Sequence, residues 1–221
     1  MFSLFILKIY FEIFFEKKDI RIVQFLCWGL YFVWQFMIGR TNILPAYVNI
    51  IISIVLVSLV CIGTFEGNIL QKFVFSVLIN AIWMLAEFLV GYGFVLSGIN
   101  YMIPQFLGSL LSKLIALILI LCLKRFFHNE NMRNISNRYN FILLLIPIGS
   151  MFVVYNIFMI SVGMSQKKYI KESWTSLIII LLINIVIFKL YLILSKEKEL
   201  QKYNTVYAQQ LELCNLLCSR I

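Results

Sequence analysis

The stretch IIILLINIVIFKLYLILSKEKE, residues 178–199, decides the architecture, because a hydrophobic run passes directly into a charged one. Residues 174–194 are apolar and long enough to cross a bilayer once, which takes about 20 residues. The alternating Lys and Glu residues that follow Ser195 belong in water. We therefore predict a helix that leaves the membrane and continues, with a transmembrane domain at residues 1–194 and an exposed cytoplasmic helix at residues 195–221, called the tail below.

Apolar residues recur in the tail at alternating steps of three and four, which is the a/d pattern of a heptad repeat. This seam comprises Leu200, Tyr203, Tyr207, Gln210, Cys214, Leu217 and Ile221. A seam of this kind predicts pairing with a second copy, so we predict a homodimer. Four further apolar residues widen this face, namely Val206, Leu211, Leu213 and Leu216. A helix packed on its own bundle or on the membrane surface therefore stays an alternative.

The composition of the whole chain is typical of a membrane protein. Of 221 residues, 62% are hydrophobic and 13% charged, whereas soluble domains average about half and about a quarter. Backbone groups in hydrocarbon need partners within their own segment, so the fold class predicted is all-α, a polytopic helical membrane bundle followed by a coiled-coil-like helix. The predicted segments are residues 2–15, 20–38, 43–62, 69–97, 103–123, 141–162 and 174–194.

The first of these segments has only 14 residues. It is either a short tilted span or a helix lying in the membrane interface, and we favour a span. The prediction is therefore six or seven transmembrane helices.

Orientation follows from the positive charges between the spans. If the tail is cytoplasmic, the inner segments hold Lys17, Lys18, Arg21, Lys72, Lys124, Arg125, Arg133, Arg138, Lys196, Lys198, Lys202 and Arg220. The outer segments hold Arg40, Lys167, Lys168 and Lys171. The inner segments thus hold twelve Lys and Arg residues and the outer segments four. This excess predicts a multi-pass protein of the cell membrane with a cytoplasmic C-terminus. Because the basic residues lie between apolar runs, we predict that they contact the lipid bilayer and that no nucleic acid is bound.

Two ionisable residues at membrane depth attract attention, because each is costly there and needs a partner or a purpose. Glu87 lies in the fourth segment and Lys113 in the fifth, both about ten residues from the predicted outer end. Neighbouring antiparallel helices would bring them to similar depth. They form either a structural ion pair or a ligand site that opens to the outside. Lys8 and Glu12 lie one turn apart and are expected to neutralise one another.

Aromatic residues gather near the same predicted end, namely Tyr92, Tyr101 and Trp174. They suit a hydrophobic or amphipathic ligand, although an interfacial aromatic belt has the same composition. We predict no catalytic residue, no metal site and no cofactor. Cys214 and Cys218 are one turn apart without a second ligand pair, and His128, the single histidine, is read as a solvated loop residue.

The tail also carries a resemblance. The basic loop before the sixth span, the run Lys196-Glu197-Lys198-Glu199-Leu200 and the run Gln209-Gln210-Leu211-Glu212-Leu213 resemble the sensor region and linker helix of accessory-gene-regulator-type receptor histidine kinases with a GHKL ATPase module. The resemblance implies a quorum-sensing receptor of a two-component system, whose membrane domain detects an extracellular peptide. The family's phosphoacceptor His and ATPase would follow the linker, and the sequence stops at Ile221 before either. Kinase activity is therefore not carried over, and whether this chain is an enzyme stays open.

We expect, then, the membrane sensor domain of a two-component receptor. A ligand would shift the sixth span relative to the seventh, and the seventh would pass the shift to the tail. The rival is a small-molecule transporter subunit that resembles the substrate-binding component of a vitamin transporter. It would need a polar cavity between helices and no dimer helix.

Overall fold

The computed structural model describes residues 2–19, 21–38, 45–97, 104–126, 137–163 and 167–218. They form the helices α1 (Phe2–Phe14), α2 (Arg21–Ile38), α3 (Ala46–Thr64), α4 (Ile69–Leu96), α5 (Pro104–Phe126), α6 (Asn137–Gly163) and α7 (Lys167–Cys218). Within this part of the chain, five helices are long and apolar enough to cross a bilayer, at Tyr47–Thr64, Ile69–Phe94, Leu107–Arg125, Asn140–Ile157 and Ser173–Glu212. The protein is a helical bundle of the multi-pass membrane type.

The two helices at the N-terminus fall short of that length. α1 has 13 residues and therefore spans about 20 Å, against about 30 Å of hydrocarbon. The apolar part of α2, Ile22–Met37, is also shorter than a full span. The structure thus supports five crossings, and a sixth or seventh remains a prediction from the sequence.

Helix α4 is the centre of the bundle. It packs against α3, α5, α6 and α7, and 67% of its apolar span lies inside the bundle, against at most 39% for the other four. A helix that is apolar around most of its circumference suits this position, because it meets neighbours on every side.

Helix α1 is anchored in the bundle by aromatic rings rather than lying apart from it. Tyr10 and Phe14 pack against Phe75 of α4 and Phe188 of α7, with ring centroids 4.5 to 6.4 Å apart. Tyr191 joins the same aromatic cluster, 4.9 Å from Phe75. The Tyr10 hydroxyl donates to the Phe75 carbonyl at 3.0 Å. This buried cluster fastens α1 to α4 and α7.

Two linkers meet at one end of the bundle and form a clasp, defined as residues 16–18 and 64–66. The Lys18 N–H donates to the Thr64 carbonyl at 2.9 Å and the Glu66 N–H to the Glu16 carbonyl at 2.8 Å. The Lys18 ammonium donates to the Ile62 carbonyl at 2.9 Å, and the Lys72 ammonium to the Phe65 carbonyl. Cations at the last carbonyls of a helix are favourable, so these lysines stabilise the end of α3.

Helices α2 and α3 approach closely beside the clasp. A Cβ atom at Gly63 would lie 2.6 Å from the Cys27 Sγ and 3.2 Å from a methyl of Val23. Any side chain at position 63 would force Cys27 or the two helices to move, so Gly63 permits this close approach.

Helices α6 and α7 are joined by hydrogen bonds between side chains. The Asn184 amide donates to the Ser150 hydroxyl at 2.9 Å, and the Tyr191 hydroxyl donates to the Asn140 side chain at 2.8 Å. Asn140, Asn184 and Tyr191 are fully buried. Lipid tails are as apolar as Leu side chains, so apolar contacts alone give little preference for another helix over lipid. Hydrogen bonds between side chains supply that preference here.

Helix α7 is one unbroken element of 52 residues. The domain boundary predicted between residues 194 and 195 therefore lies inside a continuous helix. Ser195 is still buried, at 6% exposed, whereas from Lys196 to Glu212 the side chains are exposed apart from the partly covered Glu199.

Candidate functional site

A polar stripe runs along the central helix. Lys72, Ser76, Asn80 and Glu87 follow one another at helical spacing on α4, and the first three are at most 7% exposed. The Ser76 hydroxyl donates to the Lys72 carbonyl at 2.8 Å, and the Asn80 amide to the Ser76 carbonyl at 2.7 Å. Ser53 of α3 donates to the Asn80 side chain at 2.8 Å. Bonding to the backbone and across to α3 makes these polar groups tolerable inside the bundle.

Glu87 is the last residue of this stripe. It differs from Lys72, Ser76 and Asn80 because it is exposed on the surface of the bundle. It lies on the half of α4 remote from the clasp. Lys113 of α5 is close enough for Coulombic attraction to the Glu87 carboxylate, yet the two side chains do not come within the 4.0 Å of an ion pair. The structure therefore brings Glu87 and Lys113 into one region and leaves a gap between them.

A cavity of about 330 Å³ lies beside Lys113. Its polar lining includes Gln35 of α2, Ser109 and Lys113, and its apolar lining includes Phe32 and Phe36. We call it the Lys113 cavity. This volume lies in the range of pockets for small ligands, and a few polar groups on an apolar wall are typical of such sites.

Tyr31 connects this cavity with Glu87. The Gln35 amide donates to the Tyr31 hydroxyl at 3.1 Å, and the Tyr31 hydroxyl lies in the neighbourhood of Glu87. Tyr31 is fully buried. A ligand that changed the position of Gln35 would thus act on a side chain that lies near Glu87.

Two of the predicted aromatic residues, Trp174 and Tyr92, lie apart from that site. The Trp174 indole donates to the Leu89 carbonyl of α4 at 3.2 Å, and Tyr92 is buried at 8% exposed. At about 100° per residue, Tyr92 lies about 140° around α4 from Glu87 and Leu89 about 160°. Trp174 and Tyr92 therefore belong to the α4–α7 side of the bundle. Tyr101 lies outside the described residues.

The seam on the tail is uncovered where its side chains are described. Leu200, Tyr203 and Tyr207 are 63%, 61% and 66% exposed, and Gln210 and Cys214 are exposed as well. Leu217 lies in the last turn of α7, where only the backbone is described, and Ile221 lies outside the described residues. These seam positions lie along one face of a helix that no other part of the described bundle covers.

The ion pair expected within α1 is not formed. Glu12 instead contacts Lys17 of the clasp at 2.7 Å, because the chain turns back beyond Phe14 and carries Lys17 over the carboxylate. His128 lies outside the described residues.

The polar stripe on α4 was not recognised from the sequence. Its signal is present there, since Lys72, Ser76 and Asn80 recur every four residues, but each residue by itself resembles an isolated interruption of an apolar run.

The assembled geometry is suited to binding and to transmission of a displacement. The Lys113 cavity offers one cation, neutral hydrogen-bonding groups and an apolar wall. In the described part of the chain, no three His, Cys, Asp or Glu side chains come together that could hold a metal ion. Compared with known proteins, the chain matches no family model, no curated protein and no solved structure.

Proposed function

We propose that the protein is a membrane sensor domain of a two-component receptor, in which residues 1–194 detect an extracellular ligand and the tail pairs two copies. The observation that carries this proposal is the continuity of α7, which is packed in the bundle up to Ser195 and exposed beyond it. A single rigid helix transmits rotation and translation along its axis, whereas a flexible linker would absorb them. The resemblance of the tail to a receptor linker supports the same conclusion.

The transmission route begins at the contacts that hold α7 in the bundle. Trp174 contacts α4 at Leu89, and Asn184 and Tyr191 contact α6. Pro147 lies inside α6 between Asn140 and Ser150, where a missing N–H weakens the helix ladder. α6 can thus bend between its two bonds to α7, and a ligand that favours one bend would favour one position of α7.

The ligand site in this proposal is the Lys113 cavity, with Glu87 beside it. One cation and an apolar wall suit an amphipathic ligand with an acidic group, and a short peptide with a free carboxyl end has these properties. A secreted peptide is also the ligand class that the family resemblance implies.

Disulfide crosslinking along the tail tests the dimer. Single cysteines are placed at each position from 198 to 212 in a variant whose native cysteines are replaced by alanine. Crosslinking should peak at the positions of Leu200, Tyr203, Tyr207 and Gln210, with minima on the opposite face, as at Thr205. A profile without seven-residue periodicity would reject pairing through the seam.

Accessibility labelling tests the orientation. Cys214 is exposed, so a membrane-impermeant maleimide should label it only after cells are broken. The reference is a single cysteine on the predicted outer side, at Arg40, which should react in intact cells. Labelling of Cys214 in intact cells would place the tail outside and would contradict the proposed receptor.

A second candidate, a transporter subunit for a small molecule, is favoured by the Lys113 cavity itself, because a polar cavity between helices is what such a subunit needs. The two candidates differ in their genomic neighbours. A reading frame for a histidine-kinase module or a response regulator beside this one supports the sensor, and a reading frame for a transporter ATPase supports the transporter subunit.

The two candidates also differ in what the tail does. Removal of the chain after Ser195 should abolish pairing in a sensor and leave ligand uptake intact in a transporter.

A further inference from the structure

A second cavity lies at the opposite end of the bundle from Glu87, beside the clasp. It has a volume of about 420 Å³ and is a groove between α1, the start of α2 and the end of α3. Lys8, Lys17, Gln24 and Thr64 supply its polar lining, and Phe5 and Trp28 are among its apolar residues. The groove shares Leu4 with the Lys113 cavity, but its polar residues belong neither to that cavity nor to the dimer seam.

Thr64 is the residue that most needs a partner in this groove. Its side chain is 97% buried, being 3% exposed, and its hydroxyl has no hydrogen-bond partner. The neighbouring carbonyls are occupied, since Lys18 donates through its N–H to Thr64 and through its ammonium to Ile62. A buried hydroxyl without a partner is unfavourable, so a polar group bound in the groove would stabilise it.

The charge of the groove selects an anion. Lys17 is held by Glu12 at 2.7 Å and its side chain is 52% exposed, which leaves further ammonium N–H groups for a second acceptor. Lys8 is exposed and, among the described residues, has no carboxylate within 4.0 Å. The charged residues in the lining of the groove are both cations, Lys8 and Lys17, and Thr64 adds a hydroxyl donor. The acidic Glu16 and Glu66 of the clasp are not part of that lining.

The shape of the groove is amphipathic along α1. Lys17 lies at the clasp, whereas Phe5, 54% exposed, lies about 14 Å from the end of α1 at 1.5 Å per residue. Trp28 lies on the α2 side of the same groove. A polar end at the bundle edge and an apolar end toward the middle match a phospholipid, with its phosphate at the membrane interface and its acyl chain in hydrocarbon. Lys8 can extend its ammonium toward the interface along its own alkyl chain.

We propose that this groove is a binding site for an anionic phospholipid, whose phosphate contacts Lys8, Lys17 and the Thr64 hydroxyl while an acyl chain lies against Phe5 and Trp28. The charge count of the loops assigns the clasp to the cytoplasmic side, and the cytoplasmic leaflet is rich in anionic lipids. The bound lipid would fill the space between α1 and the α2–α3 pair.

The test is a lipid titration of the full chain in detergent, with thermal unfolding as the readout. Phosphatidylglycerol should raise the melting temperature well above the effect of phosphatidylcholine with the same acyl chains. Thr64→Val keeps the shape and removes a hydroxyl that has no partner in the protein, so its lipid-free stability should equal or exceed that of the wild type. Its apparent affinity for phosphatidylglycerol should be about tenfold weaker, the usual consequence of losing one hydrogen bond to a charged group.

Lys8→Gln should weaken the phosphatidylglycerol effect similarly, and the matched control Lys202→Gln, on the exposed tail, should leave it unchanged. Equal responses to the two lipids in the wild type, or a wild-type response in Thr64→Val, would overturn the proposal. Inorganic phosphate is the remaining arm. If millimolar phosphate stabilises the protein as phosphatidylglycerol does and Thr64→Val removes both effects, the occupant is free phosphate and the lipid assignment is wrong.

Discussion

The two halves of α7 differ in apolar content, with 17 apolar residues of 23 between Ser173 and Ser195 and 11 of 23 between Lys196 and Cys218, and they have opposite surroundings. Between Ser173 and Ser195 the helix packs on α4 and α6, with Leu177, Ile187, Phe188 and Tyr191 at most 1% exposed. Beyond Ser195, Leu200, Tyr203 and Tyr207 are each more than 60% exposed. One continuous helix thus satisfies its apolar residues within its own chain at one end and leaves them uncovered at the other.

The difference matters because the two halves have different solvents. In the first half Ile179, Leu182 and Val186 are also more than half exposed, but lipid is as apolar as they are and no force gathers them. The alternating Lys and Glu residues after Ser195 predict water as the solvent of the second half, where exposed Leu and Tyr side chains would favour association. The first half should therefore be stabilised by its side-chain contacts with α4 and α6, and the tail by association with a second copy.

The largest expected effect is on the packed half. Phe188→Ala removes a ring that contacts Tyr10, Phe14 and Phe75, and we expect a loss of about 3 kcal/mol in the free energy of unfolding, the lower end of the range for buried Phe. Unfolding by sodium dodecyl sulfate in mixed micelles measures it. The matched control is Phe152→Ala on α6, 68% exposed, which should cost under about 0.5 kcal/mol. Equal losses would show that the aromatic cluster does not hold α7.

The next effect is confined to the tail. Leu200→Asp combined with Tyr207→Asp places two charges on the seam, which should weaken self-association by more than about tenfold, since a charge in an apolar interface is poorly tolerated. Thr205→Asp on the opposite face is the control for charge alone. Sedimentation in detergent measures association, and the unfolding free energy of the bundle should not change. Destabilisation of the bundle by the double variant would mean that the tail folds back on it.

A smaller effect tests the bonds between α6 and α7. Asn184→Leu removes the bond to Ser150 and should cost about 0.6 to 1 kcal/mol, the usual value for such bonds between membrane helices. Asn156→Leu is matched, because the Asn156 amide donates to Phe152 of its own helix at 3.0 Å. If the sensor proposal holds, Asn184→Leu should also change the crosslinking pattern of the tail while Asn156→Leu does not. Identical patterns in the two variants would exclude this contact from the transmission route.

The smallest effect concerns the pair remote from the tail. Because Glu87 and Lys113 are coupled without contact, a double-mutant cycle with Glu87→Gln and Lys113→Met should give a coupling energy under about 0.5 kcal/mol. Each single variant should instead weaken ligand binding. A coupling energy above about 1 kcal/mol would indicate a structural ion pair, the alternative that the sequence left open.

Much of the helical architecture could be predicted because hydrocarbon imposes it. An apolar run of about 20 residues has few alternatives to a helix, and α3 to α6 begin and end within four residues of the predicted segments. The continuation of the seventh segment into the tail was predicted as well, and α7 is one helix from Lys167 to Cys218. The domain boundary at residue 194 follows a change of solvent and not a break in the backbone.

The arrangement inside the bundle was not predictable in the same way. Side chains that face lipid and side chains that face the core are both apolar, so hydropathy does not distinguish them, and the burial of α1 left no signal. Lys72 was assigned to the inner loops by its charge, yet it is 2% exposed and donates to Phe65. Trp174 and Tyr92 were grouped with Glu87 because all three were expected at a similar depth in the membrane. Depth does not say on which side of the helix a residue lies, and that direction separates them.

The unbroken course of α7 has a consequence for its angular register. In a continuous helix each inserted residue turns everything beyond it by about 100° and advances it by about 1.5 Å. A single alanine inserted after Ser195 would thus swing Leu200, Tyr203 and Tyr207 to another side of the molecule while hardly lengthening it. Seven inserted residues would restore the direction and move the seam about 10 Å farther out. The number of residues between the bundle and the seam therefore fixes the direction in which the seam faces.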